Sequence, residues 1–117
     1  MAGQRSIEVS IGVEAEQLVV MISGVAESSA AGELAALFDD VHLRASARPG
    51  RVIVDIRRLE FATSSCLRAY ANWIVAASAA GTYRIRFLSE PKHSWQRRSL
   101  TALAGITEGL VEIGTSA

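Results

Sequence analysis

The sequence predicts an α/β fold, a single-domain mixed β-sheet with parallel inner strands and the element order β-β-α-β-α-β-α-(β). Two patterns predict it. Apolar residues alternate with polar ones near the start of the chain, and further on helical stripes alternate with apolar runs of strand length. With 117 residues, half of them apolar, the chain can bury one core without disulfides or metals. Residues 1–117 are therefore predicted to form one domain.

The first two predicted strands form a hairpin. Residues 7–11 alternate between apolar and polar side chains, which indicates a strand with one buried face. Residues 17–23 are rich in β-branched side chains and too few for a helix, so they are predicted to form a second strand. A turn at residues 12–16 would pair the two.

The first helix is predicted from apolar residues at positions i, i+3, i+4 and i+7, which are Leu34, Leu37, Phe38 and Val41. Residues 24–29 are expected to form a loop in which Ser28 or Ser29 caps this helix. The helix is expected to end before Arg48-Pro49-Gly50, because proline and glycine both stop helices.

The middle of the chain predicts a buried strand and a second helix. The nearly continuous apolar run at residues 52–56 is typical of a strand covered on both faces. A short loop follows, in which Leu59 and Phe61 are predicted to plug the core. The second helix should end at Gly81, since glycine commonly terminates helices. Its apolar stripe comprises Cys66, Leu67, Ala69, Tyr70, Ala71, Trp73, Ile74 and Ala77.

The rest of the chain continues the alternation of strands and helices. Residues 83–87 alternate between apolar residues and arginine, which predicts a strand with one basic face. A third helix, marked by Leu100 and Leu103, should stop near Gly105. Residues 110–113 are predicted to form either a last short strand or a helical turn.

Charge and composition exclude several classes of function. Twelve basic and twelve acidic side chains cancel, so the chain lacks the basic field that nucleic-acid binding requires. Residues 1–43 hold seven acids and one base, whereas residues 44–98 hold eleven bases and three acids. This asymmetry indicates an anionic ligand or an acidic partner, unless folding mixes the two segments. Neither a signal peptide nor an apolar run of ~20 residues is present, so we expect no membrane insertion and a cytoplasmic location.

The sequence offers little for catalysis or for metal binding. His42 and His93 lack the spacing of metal ligands, and the single cysteine, Cys66, can form neither an intrachain disulfide nor a structural zinc site. A nucleophile elbow and a glycine-rich phosphate loop are both missing. We therefore expect no enzymatic activity, no metal and no cofactor. Cys66 is either a redox-sensitive thiol at a helix start or a small buried apolar residue.

Three consecutive hydroxyl residues, Thr63, Ser64 and Ser65, open the second helix. One hydroxyl is enough to cap the unpaired N–H groups of a helix start, with about 1 kcal/mol of stabilisation. The remaining hydroxyls would lie at the positive end of the helix dipole, where a phosphate group is well tolerated.

Residues 52–67 read Val-Ile-Val-Asp-Ile-Arg-Arg-Leu-Glu-Phe-Ala-Thr-Ser-Ser-Cys-Leu. This segment resembles the STAS domain, the sulfate transporter and anti-sigma factor antagonist family. The hallmark of that family is an apolar strand ending in Asp, a short loop, and Phe-x-Asp-Ser-Ser-Gly-Leu opening a helix. Thr63 and Cys66 stand where the family has Asp and Gly. The matching residues are Asp55, Leu59, Phe61, Ser64, Ser65 and Leu67. Chain length and element order agree with the resemblance, so we expect a STAS-like fold.

The resemblance implies a non-enzymatic regulatory protein of bacterial signal transduction that resembles an anti-sigma factor antagonist. A kinase-like anti-sigma factor or related regulatory protein would phosphorylate Ser64, and a phosphatase would restore it. The unphosphorylated form would bind the partner and the phosphorylated form would release it, an arrangement called partner switching. Thr63 and Ser65 are the alternative phosphate acceptors. The implied partner-binding residues are Thr63, Ser64, Ser65, Cys66 and Arg68.

Two other functions remain open from the sequence. One is a STAS-like assembly or docking module without phosphorylation, acting by self-association as a homodimer or within a larger complex. The other is binding of a nucleotide or other anion by a basic patch at the start of the third helix. Cations there oppose the helix dipole, which indicates a use in binding. In a purely structural interpretation, the patch tryptophan packs on the core and the arginines reach solvent. The patch comprises Lys92, His93, Trp95, Arg97 and Arg98.

Overall fold

A mixed β-sheet with three helices forms the described part of the chain, residues 7–47 and 50–115, in a computed structural model. The strands are β1 (Ile7–Glu14), β2 (Gln17–Ala26), β3 (Gly50–Asp55), β4 (Leu59–Ala62), β5 (Tyr83–Leu88) and β6 (Val111–Gly114). The helices are α1 (Ala31–Ser46), α2 (Ser64–Ala80) and α3 (Ser94–Ala104), and a single 3-10 turn (Ser28–Ala30) precedes α1.

The strands follow the spatial order β1-β2-β3-β5-β6. β1 pairs with β2 in an antiparallel hairpin, and every other pairing is parallel. β2 pairs with two further strands along its length: residues 18–21 pair with β3, and residues 24–26 pair with β4. The predicted mixed sheet with parallel inner strands is confirmed, and the ambiguous segment near residue 110 forms the last parallel strand.

The structure corrects the sequence prediction at β4. Residues 59–62 are predicted as a loop, yet they form a strand, so the order is β-β-α-β-β-α-β-α-β. β2 is also longer than predicted, and it passes through Gly24, which has a φ of 98°. Such a φ suits glycine and few other residues, which explains how the strand continues where the sequence pattern breaks.

One cluster of buried side chains joins all three helices to one face of the sheet. Strand residues of that face include Val20, Val54 and Phe87, and their sequence neighbours point to the opposite face. Within the cluster the ring of Phe38 from α1 stacks on Trp73 from α2, with centroids 4.6 Å apart. In the described part of the chain no helix covers the opposite face, and we call it the open face.

The helix ends agree only in part with prediction. Gly81 terminates α2 in a left-handed conformation, and α3 ends before Gly105, both as expected. Ser28 and Ser29 do not cap α1, because they form the 3-10 turn and α1 begins after Ala30 without a side-chain cap. α1 ends at Ser46, before Arg48-Pro49-Gly50 as predicted, and Arg48 and Pro49 themselves lie outside the described residues. No helix within 7–47 and 50–115 combines the length and apolar character needed to span a bilayer.

Candidate functional site

The candidate site lies where the parallel strands end. β2, β4 and β5 are each followed by a helix, so the starts of α1, α2 and α3 share the carboxyl edge of the sheet. Loops at this edge of open α/β sheets commonly carry binding sites. The three hydroxyl residues and the basic patch of the sequence are thereby placed on one edge.

The three hydroxyls at the start of α2 differ in accessibility. Ser64 and Ser65 are exposed, whereas the Oγ1 atom of Thr63 is buried and has no hydrogen-bond partner among the described residues. No side chain caps α2, so the prediction that a hydroxyl caps this helix is wrong. The reason is that the side chain of Thr63, the N-cap residue, turns inward. The backbone carbonyl of Thr63 instead accepts the first helical bond, from the N–H of Leu67 at 3.0 Å.

Cys66 ties the first turn of α2 to the end of β2. Its side chain is fully buried, and its thiol lies 3.1 Å from the carbonyl oxygen of Glu27 and 3.6 Å from that of Ala26. A glycine at this position would leave both contacts unmade. Cys66 is among the predicted partner-binding residues, but the structure places its side chain inside. Cys66 therefore does not contact a partner itself, and it affects the exposed start of α2 only by fixing the positions of Ser64 and Ser65.

A register shift in β4 turns Phe61 outward. Leu59 pairs with Gly24 and Phe61 pairs with the next residue of β2, so Glu60 is an extra residue on the β4 side. Such an irregularity re-aims the side chains that follow it. Leu59 is fully buried as predicted, whereas Phe61 is 49% exposed instead of plugging the core. The strand therefore presents an aromatic ring to solvent three residues before Ser64.

Two side chains of α3 hold the outer edge of β4. The Gln96 side chain is fully buried, and its Nε2 atom donates to the carbonyls of Ile56 at 2.7 Å and Leu59 at 2.8 Å. Its Oε1 atom accepts the backbone N–H of Glu90 at 2.8 Å. Trp95 donates its indole N–H to the carbonyl of Glu60, the extra residue of β4, at 2.7 Å. The irregular backbone of β4 is thus paired with side chains where it lacks a neighbouring strand.

The basic patch does not form a single surface. Lys92, Arg97 and Arg98 are exposed, while Trp95 is half-buried and turned toward β4. Arg97 faces the other way and lines a cleft of about 330 Å³ together with residues at the end of β6. This arrangement agrees with the structural interpretation of the patch, in which the tryptophan packs down and the arginines reach solvent.

Asp55 and Arg57 shape the turn between β3 and β4. The guanidinium of Arg57 donates to both carboxylate oxygens of Asp55, at 3.0 and 2.8 Å, and the backbone N–H of Arg57 donates at 3.1 Å. Burial acts to raise the pKa of Asp55, but the hydrogen bonds and charge of Arg57 outweigh it and leave that pKa below its ordinary value. Asp55 at the end of β3 therefore fixes the turn that leads to β4.

His42 lies in a hydrogen-bonded group of aromatic side chains. The indole N–H of Trp73 donates to the hydroxyl oxygen of Tyr83 at 2.9 Å, and that hydroxyl lies 2.7 Å from Nδ1 of His42. The Tyr83 hydroxyl thus joins the Trp73 indole to the His42 ring. Within the described part of the chain no three His, Cys, Asp or Glu side chains come together as metal ligands.

Comparison with known proteins agrees with this geometry at the level of fold. The structure is similar to the crystal structure of an anti-sigma-factor antagonist, a STAS domain, from Rhodobacter sphaeroides. The TM-score is 0.55 and the sequence identity 16%, over 69% of this chain and 84% of that chain. No protein-family model and no curated protein matches the sequence. The chain therefore has a STAS-like fold, and the likeness is one of architecture rather than of sequence.

Proposed function

We propose that this chain is a non-enzymatic cytoplasmic regulator that binds a protein partner through the start of α2 and releases it when Ser64 is phosphorylated. The partner is a kinase-like anti-sigma factor or a related regulatory protein, and a phosphatase reverses the modification. The observation that carries the proposal is the exposed Ser64 side chain at an uncapped helix start, in a fold shared with an anti-sigma-factor antagonist.

Accessibility favours Ser64 over Thr63 as the phosphate acceptor. A kinase must bring the γ-phosphate of ATP in line with the attacking hydroxyl, and the buried Oγ1 of Thr63 allows no such approach. Ser65 is exposed as well, so burial alone does not separate it from Ser64. The resemblance to the family motif assigns the first serine of the pair, and this leaves Ser65 as the alternative acceptor.

A phosphate on Ser64 is expected to change binding without unfolding the domain. It adds about −1.5 to −2 charges at the positive end of the α2 dipole, where no side chain occupies the first-turn N–H groups. The same charge would have to be desolvated when a partner covers it, which is costly if no cation meets it. A change from mostly bound to mostly free requires roughly a 10⁴-fold loss of affinity.

The surface around Ser64 has the composition of a protein-binding site. Phe61 offers an exposed aromatic ring, and aromatic residues dominate the binding energy of many interfaces. Arg68 is exposed one helical turn beyond Ser64, on the same side of α2. We call Phe61, Ser64, Ser65 and Arg68 the Ser64 surface. Its rigid support comes from Cys66 below and from the contacts of α3 with β4.

The first experiment tests the modification. The purified chain is incubated with ATP and candidate kinase-like anti-sigma factors, and phosphopeptides are mapped by mass spectrometry. We expect one phosphoryl group on Ser64, lost in Ser64→Ala and retained in Ser65→Ala. Phosphate on another residue, or a stable complex with such a kinase that leaves Ser64 unmodified, would contradict the proposal.

The second experiment tests the switch by titration calorimetry with the same partner. Ser64→Asp should weaken binding at least 100-fold, roughly 3 kcal/mol. Ser78→Asp, which adds the same charge at an exposed position near the other end of α2, should bind like the unchanged chain. Phe61→Ala should weaken binding at least tenfold, whereas Val75→Ala, which truncates a comparably exposed residue of α2, should not. If Ser64→Asp and Ser78→Asp weaken binding equally, the partner does not bind at the Ser64 surface. The same conclusion follows if Phe61→Ala and Val75→Ala weaken binding equally.

A non-phosphorylated assembly module is the second candidate function, and the open face of the sheet favours it. Surfaces of a sheet that no helix covers are available for association with another molecule. The two candidates are separable, because a module would show no phosphate on Ser64 and would still form oligomers by light scattering.

A further inference from the structure

The outer edge of β6 has no neighbouring strand in the described part of the chain. β6 is the last strand of the sheet order and pairs with β5 alone. The carbonyls of Leu110 and Gly114 accept backbone N–H groups from the β5 side, at 3.1 and 2.8 Å. Since the backbone groups of successive residues in a strand point to opposite sides, those of Val111 and Ile113 point away from β5. The N–H and C=O groups of both residues are therefore available to a further strand.

A largely apolar cleft adjoins this edge on the helix side of the sheet. Ile113 pairs with Phe87 of the core, so its side chain points toward the helices, yet it is 41% exposed. The cleft beside it has a volume of about 330 Å³, and its walls include Pro91 and, from α3, Arg97 and Thr101. Unpaired strand groups give affinity to an added strand, and a pocket for one of its side chains gives specificity. Both features are present along β6.

Arg97 supplies the cleft with a cation. Its side chain is exposed and makes no ion pair among the described residues, and Thr101 bonds only its backbone carbonyl. The acid that also lines the cleft, Glu90, already accepts the backbone N–H of Lys92 at 3.2 Å. Lys92 and Arg98 are exposed as well, so cations outnumber acids around the start of α3. A carboxylate is the complementary group for this position.

The acids of β6 and of the loop before it do not oppose such a carboxylate. Glu112 points to the open face, where its carboxylate accepts hydrogen bonds from Arg51 and Arg86, each at 3.3 Å. Glu108 precedes β6, at the end of the strand away from the cleft. Neither acid therefore shares both the side and the end of β6 that Arg97 adjoins.

We propose that the outer edge of β6, with the cleft beside it, binds an extended acidic segment of a partner protein as an added strand. The segment bonds the backbone of Val111 and Ile113, places an apolar side chain against Ile113 and directs a carboxylate to Arg97. Side chains on one face of a strand are two residues apart, so the segment carries an apolar and an acidic residue at positions i and i+2. We call Val111, Ile113 and Arg97 the β6 site.

A second copy of this chain does not satisfy the β6 site. Two β6 strands paired edge to edge, about a two-fold axis perpendicular to the sheet, keep their helix sides together. The acid of each strand, Glu112, would then lie on the open face, and Arg97 would meet no carboxylate from the added strand. The charge of the cleft therefore favours a different protein as the occupant.

The β6 site is independent of the proposed function. Ser64 follows β4, which pairs with β2, and strands β3 and β5 lie between β2 and β6. A segment added outside β6 leaves Ser64 exposed, so the two surfaces can be occupied at the same time. Ser64→Asp is expected to leave binding at the β6 site unchanged, which separates failure of one proposal from failure of the other.

Selection of peptides on the full chain tests the site. The probe is a phage-displayed library of random peptides about eight residues long, which is within the usual length of a strand. We expect the selected peptides to carry an apolar and an acidic residue two positions apart. When a synthetic copy of a selected peptide is bound, NMR should show the amide hydrogens of Val111 and Ile113 exchanging at least tenfold more slowly, and that of Val13 unchanged. Failure to select such peptides, or protection of β1 instead of β6, would overturn the proposal.

Matched substitutions test the two side-chain contacts by fluorescence anisotropy with the same peptide. Ile113→Lys should weaken binding at least tenfold, whereas Val13→Lys, at a 56% exposed position of the other edge strand, should not. Arg97→Glu should weaken binding at least tenfold and favour a peptide with lysine in place of its acid, and the neighbouring Arg98→Glu should do neither. Far-UV circular dichroism verifies that each variant is folded. Equal effects of Ile113→Lys and Val13→Lys, or of the two arginine reversals, would overturn the proposal, as would a dimer in sedimentation velocity that Ile113→Lys dissociates.

Discussion

At α2 and at α3 a helix begins just after a strand end, and in both places a buried side chain ties the helix start to backbone groups of its neighbours. In α2 this side chain is Cys66, whose thiol contacts the carbonyl of Glu27. In α3 it is Gln96, whose amide makes three hydrogen bonds to the backbone. We call the two side chains the anchors of their helices.

The difference between the anchors shows how stability and recognition are divided in this molecule. A thiol is a weak donor, whereas an amide satisfies two acceptors and one donor at once. Exposed side chains adjoin each anchor: Ser64 and Ser65 in α2, Arg97 and Arg98 in α3. In each helix, a buried residue that stabilises the fold thus lies next to exposed residues that are available for recognition. Substitutions can therefore test stability and recognition separately.

The largest effect is expected at the α3 anchor. Gln96→Leu keeps the volume but removes the side-chain partner of the Leu59 carbonyl and of the Glu90 N–H, while the Ile56 carbonyl keeps the N–H of Leu59. Each buried unpaired group costs about 1–3 kcal/mol. We expect the free energy of unfolding in urea to fall by about 3–5 kcal/mol. The adjacent Arg97→Leu should change it by less than about 0.5 kcal/mol. Similar losses for both would mean that Gln96 is no anchor.

An intermediate effect is expected at Asp55, which fixes the turn before β4 and so positions the Ile56 carbonyl that Gln96 binds. Its folded pKa lies below the ordinary 3.8, so its contribution to stability is present above about pH 4 and is lost as pH falls through the folded pKa. Asp55→Asn should lower stability by about 1–3 kcal/mol at pH 7. Urea unfolding at pH 7, 4 and 3 measures this difference, which should shrink with acidification; a constant difference would contradict the ion pair.

A smaller effect is expected at the α2 anchor. Cys66→Ala removes a buried sulfur atom and its contacts with Glu27 and Ala26, which should cost about 1–2 kcal/mol. Cys66→Gly should cost about 1 kcal/mol more, because glycine also disfavours helix. Thermal and urea unfolding measure both, with Ser65→Ala as the neighbouring control within about 0.5 kcal/mol of the unchanged chain. A loss as large as that of Gln96→Leu would remove the contrast between the anchors.

The smallest effect is expected at Thr63 and has the opposite sign. Its buried hydroxyl has no partner in the described part of the chain, so Thr63→Val removes a polar group that gains nothing from burial. We expect unchanged stability or a gain of up to about 1 kcal/mol in urea unfolding. A clear loss would show that the hydroxyl does cap α2 in solution. Retained phosphorylation of the variant would separately support Ser64 as the acceptor.

The sequence predicts the helices and most of the strands because apolar spacing records which side of each element is buried. It does not reveal β4, since four residues are too few to establish a period. Pairing with β4 also requires β2 to continue past Gly24, where the chain takes a conformation that the pattern does not encode. The outward position of Phe61 depends on the same register shift, so it cannot be obtained from local sequence.

The anchors differ in how visible they are in the sequence. Cys66 falls on the predicted apolar stripe, but its contact with Glu27 spans 39 residues and requires the tertiary structure. Gln96 lies at i, i+4 and i+7 with Leu100 and Leu103, so its position on the buried side of α3 is visible in the spacing. The sequence nevertheless does not predict that Gln96 is buried, because a glutamine beside arginines is typical of a solvent-facing position.

The coverage of β4 by α3 also limits how molecules of this protein can aggregate. An unprotected strand edge offers acceptors that a strand from another chain can use, and this is how sheets extend from molecule to molecule into fibrils. Along β4 the carbonyls of Leu59 and Glu60 are already occupied by Gln96 and Trp95. An intruding strand would first have to displace α3, so β4 resists recruitment into a growing intermolecular sheet even though it is short and irregular.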